Sequence, residues 1–142
     1  MDQRLNFVTL ATADLDVTRR FYGSLGWASV VDVEGEIVMY QLAPGLVLGF
    51  FDAAKFNADL ATGGDHSAVS GVTLAQNLGG RDEVHEFVAA WTSSGGSVVK
   101  PAQEGAFGGV FHALVADPLG VVWEIAHNPG WSVADDGTVT FG

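Results

Sequence analysis

The sequence contains no cysteine, which excludes disulfides, thiol nucleophiles and zinc–thiolate centres. It is also poor in positive charge. Lys and Arg number 6 against 17 Asp and Glu, a formal net charge of -11. Nucleic acid and anionic membrane surfaces both require clustered cations, so neither is expected as a partner. No apolar run approaches the length of a membrane span, and Met1-Asp2-Gln3-Arg4 leads into no apolar signal core. The expectation is a soluble, cytoplasmic protein whose acidic surface serves solubility. What the chain does have is apolar content: 48% of its 142 residues are hydrophobic and 16% charged. That balance predicts one folded domain with a real core.

One stretch near the end organises the rest, Ala116 to Pro129. Asp117-Pro118-Leu119-Gly120 has the composition of a tight turn, because Pro118 fixes φ and Asp117 can hydrogen-bond the turn through its side chain. The turn separates two apolar runs, Val110–Ala116 and Val121–Ala126, so the whole reads as a β-hairpin. Glu124 lies inside the second run, between Trp123 and Ile125. A carboxylate there must face solvent, face a cavity or find a partner.

The remaining elements fall into two similar sets. Leu5–Ala11 reads as a strand, and a helix follows from Asp14 or Asp16 to Leu25, with Val17, Phe21 and Leu25 at helical spacing and Tyr22 on its flank. Trp27–Val33, Glu36–Leu42 and Leu46–Phe51 form a meander broken at Gly35 and Pro44-Gly45. Asp52–Asp65 has no clear period and reads as a connector with at most one helical turn. The order then repeats: strand Ser70–Gln76, helix Arg81–Ser94, strand Ser97–Lys100, a loop over Pro101–Gly109, and the hairpin. A last strand is expected at Thr138–Phe141. Thr9-Leu10-Ala11 recurs as Thr73-Leu74-Ala75, and laying Leu46 on Val121 places Gly49 on Glu124. An internal duplication of a βαβββ unit, about residues 5–52 and 68–129, is the simplest account. The fold class is therefore α+β, two βαβββ repeats forming a cupped, partly open β-barrel-like sheet with helices outside and a ligand site in the shared concavity.

The repeat, Ala-Asp-Leu before a first helix containing Arg-Phe-Tyr and ending Leu-Gly-Trp, and the closing Asp-Pro-x-Gly-x-x-Trp-Glu-Ile together resemble the vicinal oxygen chelate superfamily. That superfamily includes glyoxalase I, extradiol dioxygenases and bleomycin-resistance proteins. The resemblance covers roughly residues 5–129. It implies four metal-ligand positions, on the first, fourth, fifth and eighth strands, and homodimers that complete the pocket across subunits. In this sequence those positions fall at Phe7, Gly49, Gly71 and Glu124. Phenylalanine and glycine offer no side-chain donor, and one carboxylate cannot hold a catalytic divalent ion against water. No metal and no cofactor are therefore expected.

Without a metal, the concavity reads as an apolar pocket for a small molecule, cationic or aromatic. Its expected ligand-binding residues are Phe7, Thr9, Gly49, Phe51, Gly71, Thr73 and Glu124, with Phe107 in a glycine-rich loop as a lid or a surface anchor. Trp123 faces the opposite way, toward the helices. The four histidines show no ligand-pair spacing. His112 is the one that could work with Glu124 in acid–base chemistry, and the turn decides whether it can. A four-residue turn places Glu124 with Phe111, Ala113 and Val115 and sends His112 to the other face; a shift of one residue reverses that. Four functions stay open: a metal-free binding protein, a metal-dependent lyase, isomerase or dioxygenase, a metal-independent enzyme using Glu124, and a dimer scaffold.

Overall fold

The computed structural model describes residues 3–61, 63–106 and 108–142. The chain forms two compact units, one of residues up to Val72 with Pro118–Gly120, the other of Thr73–Asp117 with Val121–Gly142. Among the described residues no helix is long and apolar enough to cross a membrane.

The first unit contains β1 (Phe7–Thr12), α1 (Leu15–Ser24), β2 (Val31–Val33), β3 (Ile37–Ala43), β4 (Leu46–Asp52) and α2 (Ala53–Leu60). Its sheet runs β1-β4-β3-β2, with β1 parallel to β4 and the remaining pairs antiparallel. Asp14 starts α1 by accepting the Val17 N–H at 2.9 Å, so one of the orphan amides of the first turn is satisfied. Val38, Tyr40, Leu48 and Phe50 alternate with the residues of the opposite face and are fully or almost fully buried. Against them lie Phe21 and Tyr22 of α1, with the Tyr22 ring 4.8 Å from that of Phe50 and 5.7 Å from that of Tyr40. Tyr22 is thus a core residue, not a flanking one.

The second unit repeats the plan with β5 (Leu74–Asn77), α3 (Arg81–Ser93), β6 (Ser97–Glu104), β7 (Phe111–Ala116) and β8 (Val122–His127). Its sheet order is β5-β8-β7-β6, with β5 parallel to β8. Ala113, Val115, Trp123 and Ile125 face α3, where Val84 and Trp91 are buried. The Trp91 ring lies 6.1 Å from that of Trp123, and its indole N–H donates to the Ala116 carbonyl at 2.8 Å. Gly96 makes this possible: a Cβ there would lie 2.3 Å from the Trp91 ring. A short hairpin, β9 (Trp131–Val133) with β10 (Val139–Phe141), ends the chain. The fold is α+β, two βαβββ-like modules that form two mixed four-stranded sheets, with three helices among the described residues.

Several boundaries differ from expectation for identifiable reasons. The connector after β4 holds a two-turn helix, because Asp52 caps it through the Lys55 N–H at 3.1 Å and Ala61 closes it in the left-handed region. The first strand of the meander begins only at Val31. Trp27 before it packs instead on Tyr22 and Tyr40, with ring centroids 5.0 and 5.3 Å apart. β5 begins at Leu74 and not Ser70, so Gly71, at φ +71°, lies outside it. β6 continues through Pro101 to Glu104. A proline that cannot donate is tolerated there because β6 is an edge strand with irregular pairing on both sides of Lys100.

Candidate functional site

The hairpin decides what Glu124 faces. Ala116 pairs with Val122, so five residues and not four lie between β7 and β8. Asp117 holds this wider turn twice: its N–H donates to the Val121 carbonyl at 3.0 Å and its Oδ1 accepts the Val121 N–H at 2.9 Å. Gly120, at φ +92°, takes the left-handed conformation the turn requires. The extra residue moves every β8 side chain by one pleat relative to a four-residue turn. Glu124 pairs with Leu114, and His112 with Ala126. Directly opposed residues share a face, so His112 and Glu124 stand together, and the five-residue turn decides the face that the sequence left open.

His112 is a diagonal neighbour of two charged residues, within reach for long side chains. Its Nδ1 lies 2.5 Å from Glu124 Oε1, and its Nε2 lies 3.2 Å from Lys100 Nζ. An ammonium group only donates, so Nε2 must accept. The proton of the neutral ring then sits on Nδ1 and is donated to the carboxylate. The His112 side chain is 15% exposed and that of Glu124 35% exposed. Solvent therefore reaches Glu124 more readily than the imidazole it holds.

Lys100 reaches this face through a β-bulge. Val98 pairs with Val115, but Lys100 pairs with Leu114, so β6 spends one extra residue, Val99, in that interval. In a regular strand Lys100 would oppose Ala113 and point toward α3. Sequence reasoning missed this residue; the Pro101 beside it, unusual within a strand, was the available signal. Around them the central strands are apolar, with Leu114 and Val122 half-buried and Ala116 and Ala126 buried, while the outer strands add exposed Gln103 opposite His112, Asn77 opposite Ala126 and Ser97 opposite Ala116. The other histidines lie elsewhere. His85 stands on α3 with its ring 5.3 Å from Phe111, His127 Nδ1 is 3.2 Å from the Leu78 carbonyl, and the His66 N–H donates to Asn57 Oδ1 at 2.7 Å.

In the first unit, Phe7, Thr9, Gly49 and Phe51 share the sheet face turned away from the Leu48–Phe50 core, as alternation predicts. Gly49 is buried and lies beneath the Phe7 ring: a Cβ there would meet two Phe7 ring carbons at 2.7 Å. Thr9 borders a groove of about 270 Å³ with Ala11, Phe56, Leu60, His66 and Val69, and the Phe51 ring meets that of Phe56 edge-on at 6.5 Å. The helix that supplies Phe56 and Leu60 is the one read as a connector. Gly71 and Thr73 precede β5 and are exposed. Phe107 lies outside the described residues.

The pairing registers also correct the internal repeat. Thr9 pairs with Gly49, and Ala75 with Glu124. The structural counterpart of Thr9 is therefore Ala75, two residues beyond the Thr73 that the Thr-Leu-Ala recurrence suggests. Stepping the same register back by two makes Thr73, not Gly71, the counterpart of Phe7. Correspondence of Gly49 with Glu124 holds, since both occupy the same step of the central strand, between the buried pairs Leu48 and Phe50 and Trp123 and Ile125. Gly49 offers no donor and lies under Phe7, and the Oε1 of Glu124 is committed to His112. The side chains at these positions thus do not fit a divalent ion, and among the described residues no group of three His, Cys, Asp or Glu side chains converges as a ligand set.

Comparison with known proteins gives the family. Residues 4–125 match the Glyoxalase/Bleomycin resistance protein/Dioxygenase superfamily. The crystal structure of a glyoxalase-related enzyme from Fulvimarina pelagi is 34% identical, with 99% of each chain covered and a TM-score of 0.84. A glyoxalase/bleomycin resistance protein/dioxygenase from Nocardioides (22% identity, 92% of this chain and 87% of that one, TM-score 0.72) shares the fold. So does a lactoylglutathione lyase from Agrobacterium tumefaciens (19%, 89% and 94%, TM-score 0.67). No curated protein matches the chain. The chain belongs to the glyoxalase/bleomycin-resistance/dioxygenase superfamily.

Proposed function

We propose that this superfamily member binds a small organic molecule without a metal, on the sheet face that carries Lys100, His112 and Glu124. The observation that carries the reading is the hydrogen-bonded chain from Lys100 Nζ through the imidazole to Glu124 Oε1, at 3.2 and 2.5 Å. A polar line set among Leu114, Ala116, Val122 and Ala126 has the make-up of a small-molecule site, apolar walls with a few placed polar groups. The first unit supports the metal-free half of the reading. Phe7 covers Gly49, the position that corresponds to Glu124, and leaves room for packing but not for a ligating side chain.

A second reading, catalysis by proton transfer, is favoured by the tautomer. With Nδ1–H held by the carboxylate, Nε2 is the basic atom, and Lys100 is its present hydrogen-bond partner. A substrate that displaced the ammonium would bring its own acidic proton to Nε2, and Glu124 would stabilise the imidazolium that forms. The Fulvimarina pelagi relative is named a glyoxalase-related enzyme, which suits this reading.

Two measurements test the proposal. Elemental analysis should find bound Ni, Zn, Fe and Mn well below stoichiometry, and treatment with EDTA should leave the melting temperature unchanged. One equivalent of a divalent metal whose removal lowers that temperature would overturn the metal-free reading. A thermal-shift screen of small organic compounds should yield stabilisers that lose their effect on Glu124→Gln or His112→Ala. Loss of turnover with retained binding in those variants would select the catalytic reading.

A further inference from the structure

Lys100 differs from the other paired cations of this acidic chain. Arg19 contacts the carboxylates of Asp16 and Asp32 at 2.9 and 2.6 Å, Lys55 contacts Glu36 at 3.4 Å, and Arg81 is bound by both oxygens of Glu104. Lys100 instead donates to a neutral ring nitrogen, and an ammonium has three donors. Among the described residues no carboxylate lies within ion-pair distance of it. The β-bulge that turns Lys100 onto this face moves it away from the α3 side and places it half-buried next to Leu114. At the other end of the chain, Glu124 commits Oε1 to His112. The face therefore presents a cation with spare donors at one end, a carboxylate with a second oxygen at the other, and apolar side chains alongside.

We infer that Lys100 is an anion-recognition residue and that this face takes a small carboxylic acid carrying a hydroxyl group and an apolar tail. The inference rests on the reading of this face as a small-molecule site. A monoanion fits better than a phosphate, since one ammonium is the only cationic group in the polar chain and the protein carries a net charge of -11. The carboxylate accepts from Lys100. The hydroxyl donates to the second oxygen of Glu124. The tail lies on Leu114 and Val122. Anion recognition also departs from the cationic ligand that the bulk charge suggests, because the local cation and not the net charge faces the bound molecule.

The test is an NMR titration of the full chain with three probes of one length: 2-hydroxyhexanoate, hexanoate and 1,2-hexanediol. The imidazole of His112 and the methyls of Leu114 and Val122 report binding on this face. The hydroxy acid should bind best, at least about tenfold more tightly than the neutral diol, the discrimination expected from one charge-assisted contact. Lys100→Met should reduce that ratio to about twofold or less, and Lys100→Arg should preserve most of it. Equal binding of acid and diol, or a ratio indifferent to Lys100→Met, would overturn the inference and leave the small-molecule face standing. Binding reported only by resonances elsewhere in the chain, or no response to any of the three, would overturn both.

Discussion

The link between His112 and Glu124 can be measured by a double-mutant cycle. His112→Ala, Glu124→Ala and the double variant are compared by urea unfolding at pH 7, with free energies taken by linear extrapolation. A hydrogen bond to a charged acceptor contributes about 1.5–3 kcal/mol when dry. Here 15% of one side chain and 35% of the other remain exposed, so water competes and the lower end applies. Each single replacement should cost about 1–2 kcal/mol, and the double should cost about 1–1.5 kcal/mol less than their sum. Removing the imidazole brings Lys100 and Glu124 face to face, and a new ion pair would reduce the cost of His112→Ala. The cycle is therefore repeated on Lys100→Met, where the coupling should persist. Long-range ¹H–¹⁵N correlation of the ring should show the proton on Nδ1. Costs that add within about 0.3–0.5 kcal/mol, or a ring protonated on Nε2 alone, would refute the hydrogen-bond assignment and the acid–base reading built on it.

Three further outcomes follow from the same geometry. Gly96→Ala should destabilise by about 2–4 kcal/mol, from overpacking plus loss of the indole hydrogen bond to Ala116, because the new Cβ would lie 2.3 Å from the buried Trp91 ring and 2.9 Å from the Ala116 carbonyl; chemical denaturation measures it. Deleting Val99 removes the bulge yet leaves Lys100 next to Val98 and opposite Leu114, so the His112 Nε2 resonance and the Nδ1–Glu124 contact should both be retained; a shift of the Nε2 resonance to that of Lys100→Met would show that the strand re-registers and turns Lys100 away. The Tyr40 phenol is pushed up, first by burial and then by the charge of Asp32. A raised value in the folded state means that its contribution is fully present below the ordinary tyrosine range near pH 10 and is lost as pH rises through the folded value. Unfolding measured at pH 8 and 11 should show this loss, and Tyr40→Phe should remove its share.

Much of the architecture was legible residue by residue. Asp14 marks the start of α1, alternation in Leu48–Phe50 and in Trp123–Ile125 separates the helix-facing sides of the two central strands, and the closing Asp-Pro-x-Gly-x-x-Trp-Glu-Ile identifies the superfamily. The second helix was not legible. Its start depends on Asp52 capping from the end of a strand, and its one apolar line, Ala53, Phe56 and Leu60, is too short to stand out. The Thr-Leu-Ala recurrence misaligned the modules by two residues, a shift that leaves strand faces unexchanged because strand side chains repeat every two residues, but it selected Gly71 and Thr73, which lie before β5.

Single-residue registers are where the sequence falls silent. Composition and pattern alone determined a duplicated α+β fold, an acidic chain without thiols, and a carboxylate at position 124 whose counterpart is a glycine. They could not determine what that carboxylate touches. A five-residue turn held by Asp117 brings His112 to its side, and a bulge at Val99 brings Lys100. Each is one residue more than the regular strand or turn requires, and one residue exchanges the faces of a sheet. Neighbouring strands and a turn must close together before that count is settled, so only the tertiary structure decided that Lys100, His112 and Glu124 share one sheet face.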